Sequence, residues 1–157
     1  MDKVSTWLWC NREAEAMAAF YTGLIPDSRI VEVVRSPADY PNGKAGDVLT
    51  VEFTLAGRSF CALNGGPEFT FSEAISLQIS CEDQAEVDRY WHALSAHPEN
   101  EQCGWVKDRY GLSWQIVPRR LTELIADPDR ARSKRVMEAM MSMKKIDLAE
   151  LERAAEG

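Results

Sequence analysis

Residues 10–15 and 81–86 carry one pattern, Cys-x-x-x-Ala-Glu, repeated 71 positions apart. Further along, Gly57-x-Ser59-Phe60 and Gly111-x-Ser113-Trp114 are related by a smaller offset of 54. Matched landmarks of this kind constrain the fold more than composition does. Each half must build the same small supersecondary unit, and a unit this short cannot bury its apolar face alone. The offset falls by 17 residues between the two landmarks, so the second half is shorter by about one loop and part of a strand.

The elements between the landmarks follow the same order twice. Ser5 to Cys10 (STWLWC) is short, apolar and aromatic, the pattern of a buried strand. Glu13 to Gly23 is rich in Ala and Glu, and Ala16, Met17, Phe20, Tyr21 and Leu24 recur at helical spacing, with Gly23 as the stop. Ile30 to Val34 predicts a strand, and Pro37, Pro41 and Asn42-Gly43 mark a loop from Ser36 to Asp47. Val48 to Leu55 and Ser59 to Asn64 predict a hairpin about Ala56-Gly57-Arg58. After Gly65-Gly66-Pro67 the order restarts. Ala74 to Ser80 predicts a strand, Asp83 to Ala96 an amphipathic helix with Val87, Tyr90, Trp91 and Leu94 inward, and Gln102 to Lys107 and Leu112 to Val117 two more strands. From Arg119 the pattern is helical with a break at Pro128, and Val136, Met137, Met140, Met141 and Met143 form a broad apolar face suited to an irregular surface.

Charge narrows the partners. The chain carries 18 basic and 25 acidic residues, a formal net charge of −7, and has no basic stripe for a phosphate backbone, so no nucleic-acid partner is expected. No run of 18 apolar residues is present, so no membrane partner is expected either. The first residues, Met1-Asp2-Lys3-Val4, lack the regions of a signal peptide, which predicts a cytoplasmic protein with Cys10, Cys61, Cys81 and Cys103 as free thiols. No CxxC occurs, and a structural zinc is not expected.

Three segments carry a family resemblance. They are Trp7-Leu-Trp with Ala14-Glu15-Ala16-Met17-Ala-Ala-Phe20-Tyr21, then Thr50-Val-Glu52-Phe with Ala62-Leu-Asn64-Gly65-Gly66-Pro67, then Cys103-Gly-Trp105-Val-Lys107-Asp108-Arg-Tyr-Gly111-Leu-Ser113-Trp114-Gln115-Ile-Val-Pro118. They are similar to the PhnB-like, or demethylubiquinone methyltransferase-like, family of the vicinal oxygen chelate superfamily, which also holds glyoxalase I, bleomycin-resistance proteins and extradiol dioxygenases. The resemblance implies an α+β fold of paired β-α-β-β-β units curling into a cupped mixed sheet over residues 1–118 (units of about 1–66 and 74–118). Residues 119–157 would then form a helical extension packed on the same domain or on a dimer partner. It further implies a homodimer and a cavity that, in metal-dependent members, holds a divalent ion on His and Glu from the first and last strands of each unit.

The residues at those strands do not supply that set. Ser5 to Cys10 and Ser59 to Asn64 contain no His, Asp or Glu, and Ala74 to Ser80 and Ser113 to Val117 offer only the amides Gln78 and Gln115. Amide oxygens are weak neutral ligands, and His92 and His97 fall in and after the second helix. No metal and no cofactor are therefore expected. The one glycine pair, Gly65-Gly66, is followed by Pro67 and opens no predicted helix, which also argues against the usual nucleotide and S-adenosylmethionine turn, and so against methyl transfer.

The candidates that remain are polar and aromatic. Gln115, mid-strand between Trp114 and Ile116, requires a hydrogen-bonding partner, either a ligand or a neighbouring strand. Gln78 follows the same logic. Asn64 is a turn former or a ligand contact, Trp105 is the aromatic most suited to wall a cavity, and Thr6 joins them from the first strand. Glu52, on a Thr50/Glu52/Thr54 face, is the one candidate carboxylate for general-base work, against the simpler reading of a solvated face. Cys61 and Cys103 are read as small buried residues, and Lys44 as either a solvated lysine or a charge that attracts an anion. The function expected is binding of a small molecule in the cup without the family metal. The alternative is a metal-dependent lyase or dioxygenase with atypical ligands such as Glu52 with Cys61 or His92.

Overall fold

The computed structural model describes residues 2–157, which divide into two compact units, one ending at Phe71 and the other spanning Ser72–Gly157. In the first unit, β1 (Thr6–Cys10) leads into α1 (Ala14–Leu24), followed by β2 (Arg29–Arg35), β3 (Val48–Leu55) and β4 (Arg58–Asn64). The sheet order is β1-β4-β3-β2, with β1 parallel to β4 and the other pairs antiparallel. Period-two alternation in β3 buries Val51, Phe53 and Leu55, and the Phe53 ring stacks on Phe60 at 5.5 Å and lies 6.4 Å from Tyr21 of α1.

Two local expectations are corrected here. The buried stripe of α1 is Ala14, Met17, Ala18 and Tyr21, so Ala16 lies on the outer side. The helix also runs through Gly23. It stops because Ile25 precedes Pro26 and takes an extended conformation, φ −100° and ψ 124°. The β3–β4 turn follows the sequence reading. Ala56 and Gly57 both have left-handed backbones, φ 46° and 78°, as a tight two-residue hairpin turn demands.

The second unit holds β5 (Ser76–Cys81), α2 (Gln84–Leu94), β6 (Trp105–Lys107), β7 (Ser113–Pro118), α3 (Arg119–Ile125), α4 (Arg130–Met141) and α5 (Leu148–Glu156). Its sheet order is β5-β7-β6, again with the first and last strands parallel. No fourth strand lies among the described residues. Where the first unit has β2 and a long loop, the second has only a short 3-10 turn at Pro98–Asn100, which accounts for most of the 17-residue shortening read from the repeat. β6 is shorter than the predicted Gln102–Lys107, because Cys103 and Gly104 turn the backbone left-handed, φ 49° and 84°. α2 starts on Asp83, whose carboxylate accepts the Glu86 N–H at 2.8 Å.

The C-terminal helices have a small core of their own, made of Leu121, Leu124, Val136, Met143, Ile146, Leu151 and Ala155. Of the predicted Met-rich face, Val136 and Met143 are buried and Met140 is packed against them, while Met137 and Met141 remain exposed. The cluster is stitched to the rest of the second unit by Cys103 N–H donating to Met143 O and by the Gln84 carboxamide bridging Ile146 O and Leu148 N–H. Among the described residues, no helix is long and apolar enough to cross a membrane.

The β6–β7 turn is held by one carboxylate. Asp108 is fully buried, and its oxygens accept the Tyr110 N–H at 2.8 Å, the Leu112 N–H at 3.0 Å and the Trp114 Nε1–H at 2.8 Å. Removing it leaves two buried donors and one half-buried donor without acceptors, at a cost on the order of 3 kcal/mol. Asp108→Ala is therefore expected to lower the urea midpoint sharply, whereas Asp88→Ala, on the exposed side of α2, should leave it nearly unchanged.

Candidate ligand-binding faces

In the second unit, strand register brings three predicted residues together. Gln78 pairs with Gln115 across the parallel β5–β7 ladder, and Gln115 pairs with Trp105 across β7–β6. Side chains opposite one another in a ladder share a face, so Gln78, Gln115 and Trp105 form one transverse rank. The opposite face carries Trp114, Ile116 and Val106, all buried, and is the side against which α2 packs. Flanking ranks place Ser76, Ser113 and Lys107 beside the amides. Gln115 Nε2 donates to Ser76 Oγ at 2.8 Å, which orients its carbonyl oxygen outward from that bond. Gln78 is exposed, and its side chain makes no hydrogen bond among the described residues. Lys107 is engaged by Glu73 at 2.6 Å, and that pairing holds the Glu73 carboxyl below its usual range.

The first unit presents a different surface. On the face away from α1, register aligns Trp7 with Cys61 and Trp9 with Leu63, and Cys61 with Glu52. Glu52 is half-buried beside a cavity of about 70 Å3 that Ser5, Val31, Thr54, Ser59 and Cys61 help to line. Its cross-strand neighbour on β2 is Glu32. Trp9 is fixed by its Nε1 donating to Gly66 O at 2.8 Å and by edge contact with Phe69 at 4.9 Å. A side chain at Gly65 would start 2.5 Å from the Trp9 ring, so the glycine pair serves close packing. No helix follows it, since residues 65–75 are irregular and turn.

Thr6 and Asn64 stand elsewhere. Thr6 is in register with Phe60, on the side facing α1 and at the exposed start of β1. Asn64 is buried and its amide is fully engaged. Oδ1 accepts Ala14 N–H at 3.0 Å and the Cys10 thiol at 3.4 Å, and Nδ2 donates to Val48 O at 2.9 Å. It caps α1 and ties three strands, a role that its place at a strand end did not reveal because its partners lie far away in sequence. Sequence reasoning also missed Ser76, whose hydroxyl becomes visible as a partner of Gln115 only through register.

A strand–helix–strands unit closed by a parallel first and last strand is built twice, which makes this an α+β protein of two like units. The sequence model for 3-demethylubiquinone-9 3-methyltransferase matches residues 2–117. A Bacillus cereus PhnB protein, described as a candidate 3-demethylubiquinone-9 3-methyltransferase, is 34% identical, with 74% of this chain and 99% of that one covered and a TM-score of 0.63. Protein PA1353 of Pseudomonas aeruginosa shares the fold at 16% identity and a TM-score of 0.57, covering 75% of this chain and 98% of its own. No functionally curated protein matches the chain. The chain belongs to the PhnB-like, 3-demethylubiquinone-9 3-methyltransferase family.

The donor set does not fit the superfamily's divalent metal. Trp7, Trp9, Cys61 and Leu63 occupy the face positions of β1 and β4, and Gln78 and Gln115 those of β5 and β7. Among the described residues, no three His, Cys, Asp or Glu groups are close enough to hold an ion. Amides and a protonated thiol are poor ligands for a hard divalent cation.

Burial pushes the Cys61 thiol up to about 11, with the Glu52 charge adding to the effect. Burial likewise raises Cys10 to about 11 and Cys81 to about 12. Such thiols are poor nucleophiles near neutral pH. The unfolded chain ionises these groups near 9 while the folded one keeps them protonated, so folding is favoured below about pH 9 and loses this contribution as pH rises toward 11–12. Chemical denaturation should show stability falling across pH 9 to 11, and the fall should be shallower in Cys61→Ala.

Proposed function

We propose that the protein binds a small molecule on the second unit's Gln78–Gln115–Trp105 face, without a resident divalent metal. The observation that carries this reading is the rank itself. Two neighbouring carboxamides, one tethered through Ser76 and one exposed, lie in one rank with a half-buried indole. Amides present a donor and an acceptor each, and an indole offers a flat apolar wall, the combination that orients polar ligands in mostly apolar sites. Binding is the activity proposed. The family's methyltransferase description is not carried over, because the glycine pair packs under Trp9 and leads into no helix.

The reading extends to a homodimer in the cytoplasm, in which residues 119–157 complete the second unit. All four cysteines are free, which suits a reducing compartment. Sedimentation velocity should give twice the 17.7 kDa chain mass, and a monomer at micromolar concentration would overturn the dimer.

Thermal shift against a metabolite library tests the binding. At least one compound is expected to raise the melting temperature of the wild type, by an amount that grows with concentration, and to lose that effect in Gln115→Ala and Trp105→Ala. A compound that stabilises all three proteins equally places its site elsewhere. Metal analysis of untagged protein is expected to find substoichiometric iron, nickel and zinc, and one tightly held ion per chain would overturn the metal-free reading.

A further inference from the structure

A second feature lies wholly within the first unit. The C-terminal ends of β1 and β4, the start of α1 and the β2–β3 loop enclose an open cleft with two lobes of about 390 and 280 Å3, and Arg12, Tyr40 and Asn42 line both. The lobes differ in charge. The smaller is lined by Glu15 and Asp47 as well as Arg12 and Arg35. The larger contains Arg12 and Lys44 and no acidic residue, in a chain whose net charge is −7.

Its polar groups are available for binding. Arg12 has no ion pair or hydrogen bond among the described residues, and the same holds for the Asn11 amide and the Tyr40 hydroxyl. The Asn42 Nδ2 is already committed to Gly65 O and Glu68, both at 2.9 Å, which fixes the wall and leaves the donating to its neighbours. Lys44 meets Asp39 at 3.2 Å in a pair exposed on both sides, and Asp39 is not part of the lining, so an anion in the lobe competes with a weak surface contact. The shape is maintained by close packing. Tyr40 and Gly43 exchange backbone hydrogen bonds, and the Tyr40 ring lies so near Gly43 that a Cβ there would start 2.2 Å from it.

We propose that the larger lobe binds the oxyanion group of a small metabolite, a phosphate or a carboxylate, with Arg12 as its main contact and Lys44, Asn11 and Tyr40 completing the donor set. A guanidinium is the side chain best shaped for bidentate contact with either group. The site does not depend on the Gln78–Gln115 reading, since it shares no residue with it and lies on the other unit.

The test uses the full-length protein at constant ionic strength held with chloride, titrated with inorganic phosphate and separately with malonate, and read by amide shifts of residues 11–15 and 40–44. Saturable shifts are expected with at least one of the two anions, and the identity of that anion assigns the phosphate or the carboxylate source. Arg12 has a left-handed backbone, φ 63°, so Arg12→Gly removes the charge at a position that glycine prefers and should fold at least as well as the wild type. Arg12→Gly and Lys44→Gln should each weaken binding, Arg12→Gly by about tenfold or more. Gln115→Ala should leave it unchanged. Shifts that fail to saturate, or binding that survives in Arg12→Gly, would overturn the proposal.

Discussion

The parallel pairing of first and last strand in each unit is the constraint on which the rest depends. A parallel pair cannot be made by a tight turn and requires a crossover, and here α1 and α2 supply it. That crossover commits one face of each sheet to its own helix. It also fixes register, so Gln78 meets Gln115 and Trp7 meets Cys61. A one-residue slip would send both amides under α2 and bring Trp114 and Ile116 out.

Each parallel closure is secured near its end by a buried polar group. Asn64 joins β4 to the first N–H of α1 and to the start of β3, and Asp108 gathers the donors of the turn that feeds β7. Every polar side-chain atom of both has a hydrogen-bond partner, and a buried polar group held in this way specifies one arrangement over its neighbours. This explains polar residues where the apolar pattern alone would have been content with Leu or Val.

Much of the fold was legible in the chain. The repeat landmarks, the hairpin at Ala56-Gly57 and the two amphipathic helices follow from local chemistry that a sequence displays. Boundaries were less legible where the left-handed turn begins one residue before its glycine, as at Cys103, or where a helix tolerates a glycine, as at Gly23. Of the candidate site residues, Gln78, Gln115 and Trp105 could be singled out as polar or aromatic side chains within strands, while their alignment in one rank depends on register. Asn64 and Thr6 behave differently for a physical reason: which side of a strand faces the helix depends on a long-range pairing, and Asn64's partners lie 16 to 54 residues away. The Arg12 cleft is assembled from three separate loops and ends, and no local pattern announces it.

The absence of a β2 counterpart in the second unit leaves the two copies with different exposures to misassembly. β2 is the outer strand of its sheet, exposed along all seven residues, with Ile30, Val31, Val33 and Val34 all accessible. A bare β-branched edge of that length is a template for unwanted strand addition. Arg29, Glu32 and Arg35 interrupt it at every third position, so no run of more than two apolar side chains remains. Those three charges act as gatekeepers against aggregation, a safeguard that only the longer copy of the repeat requires.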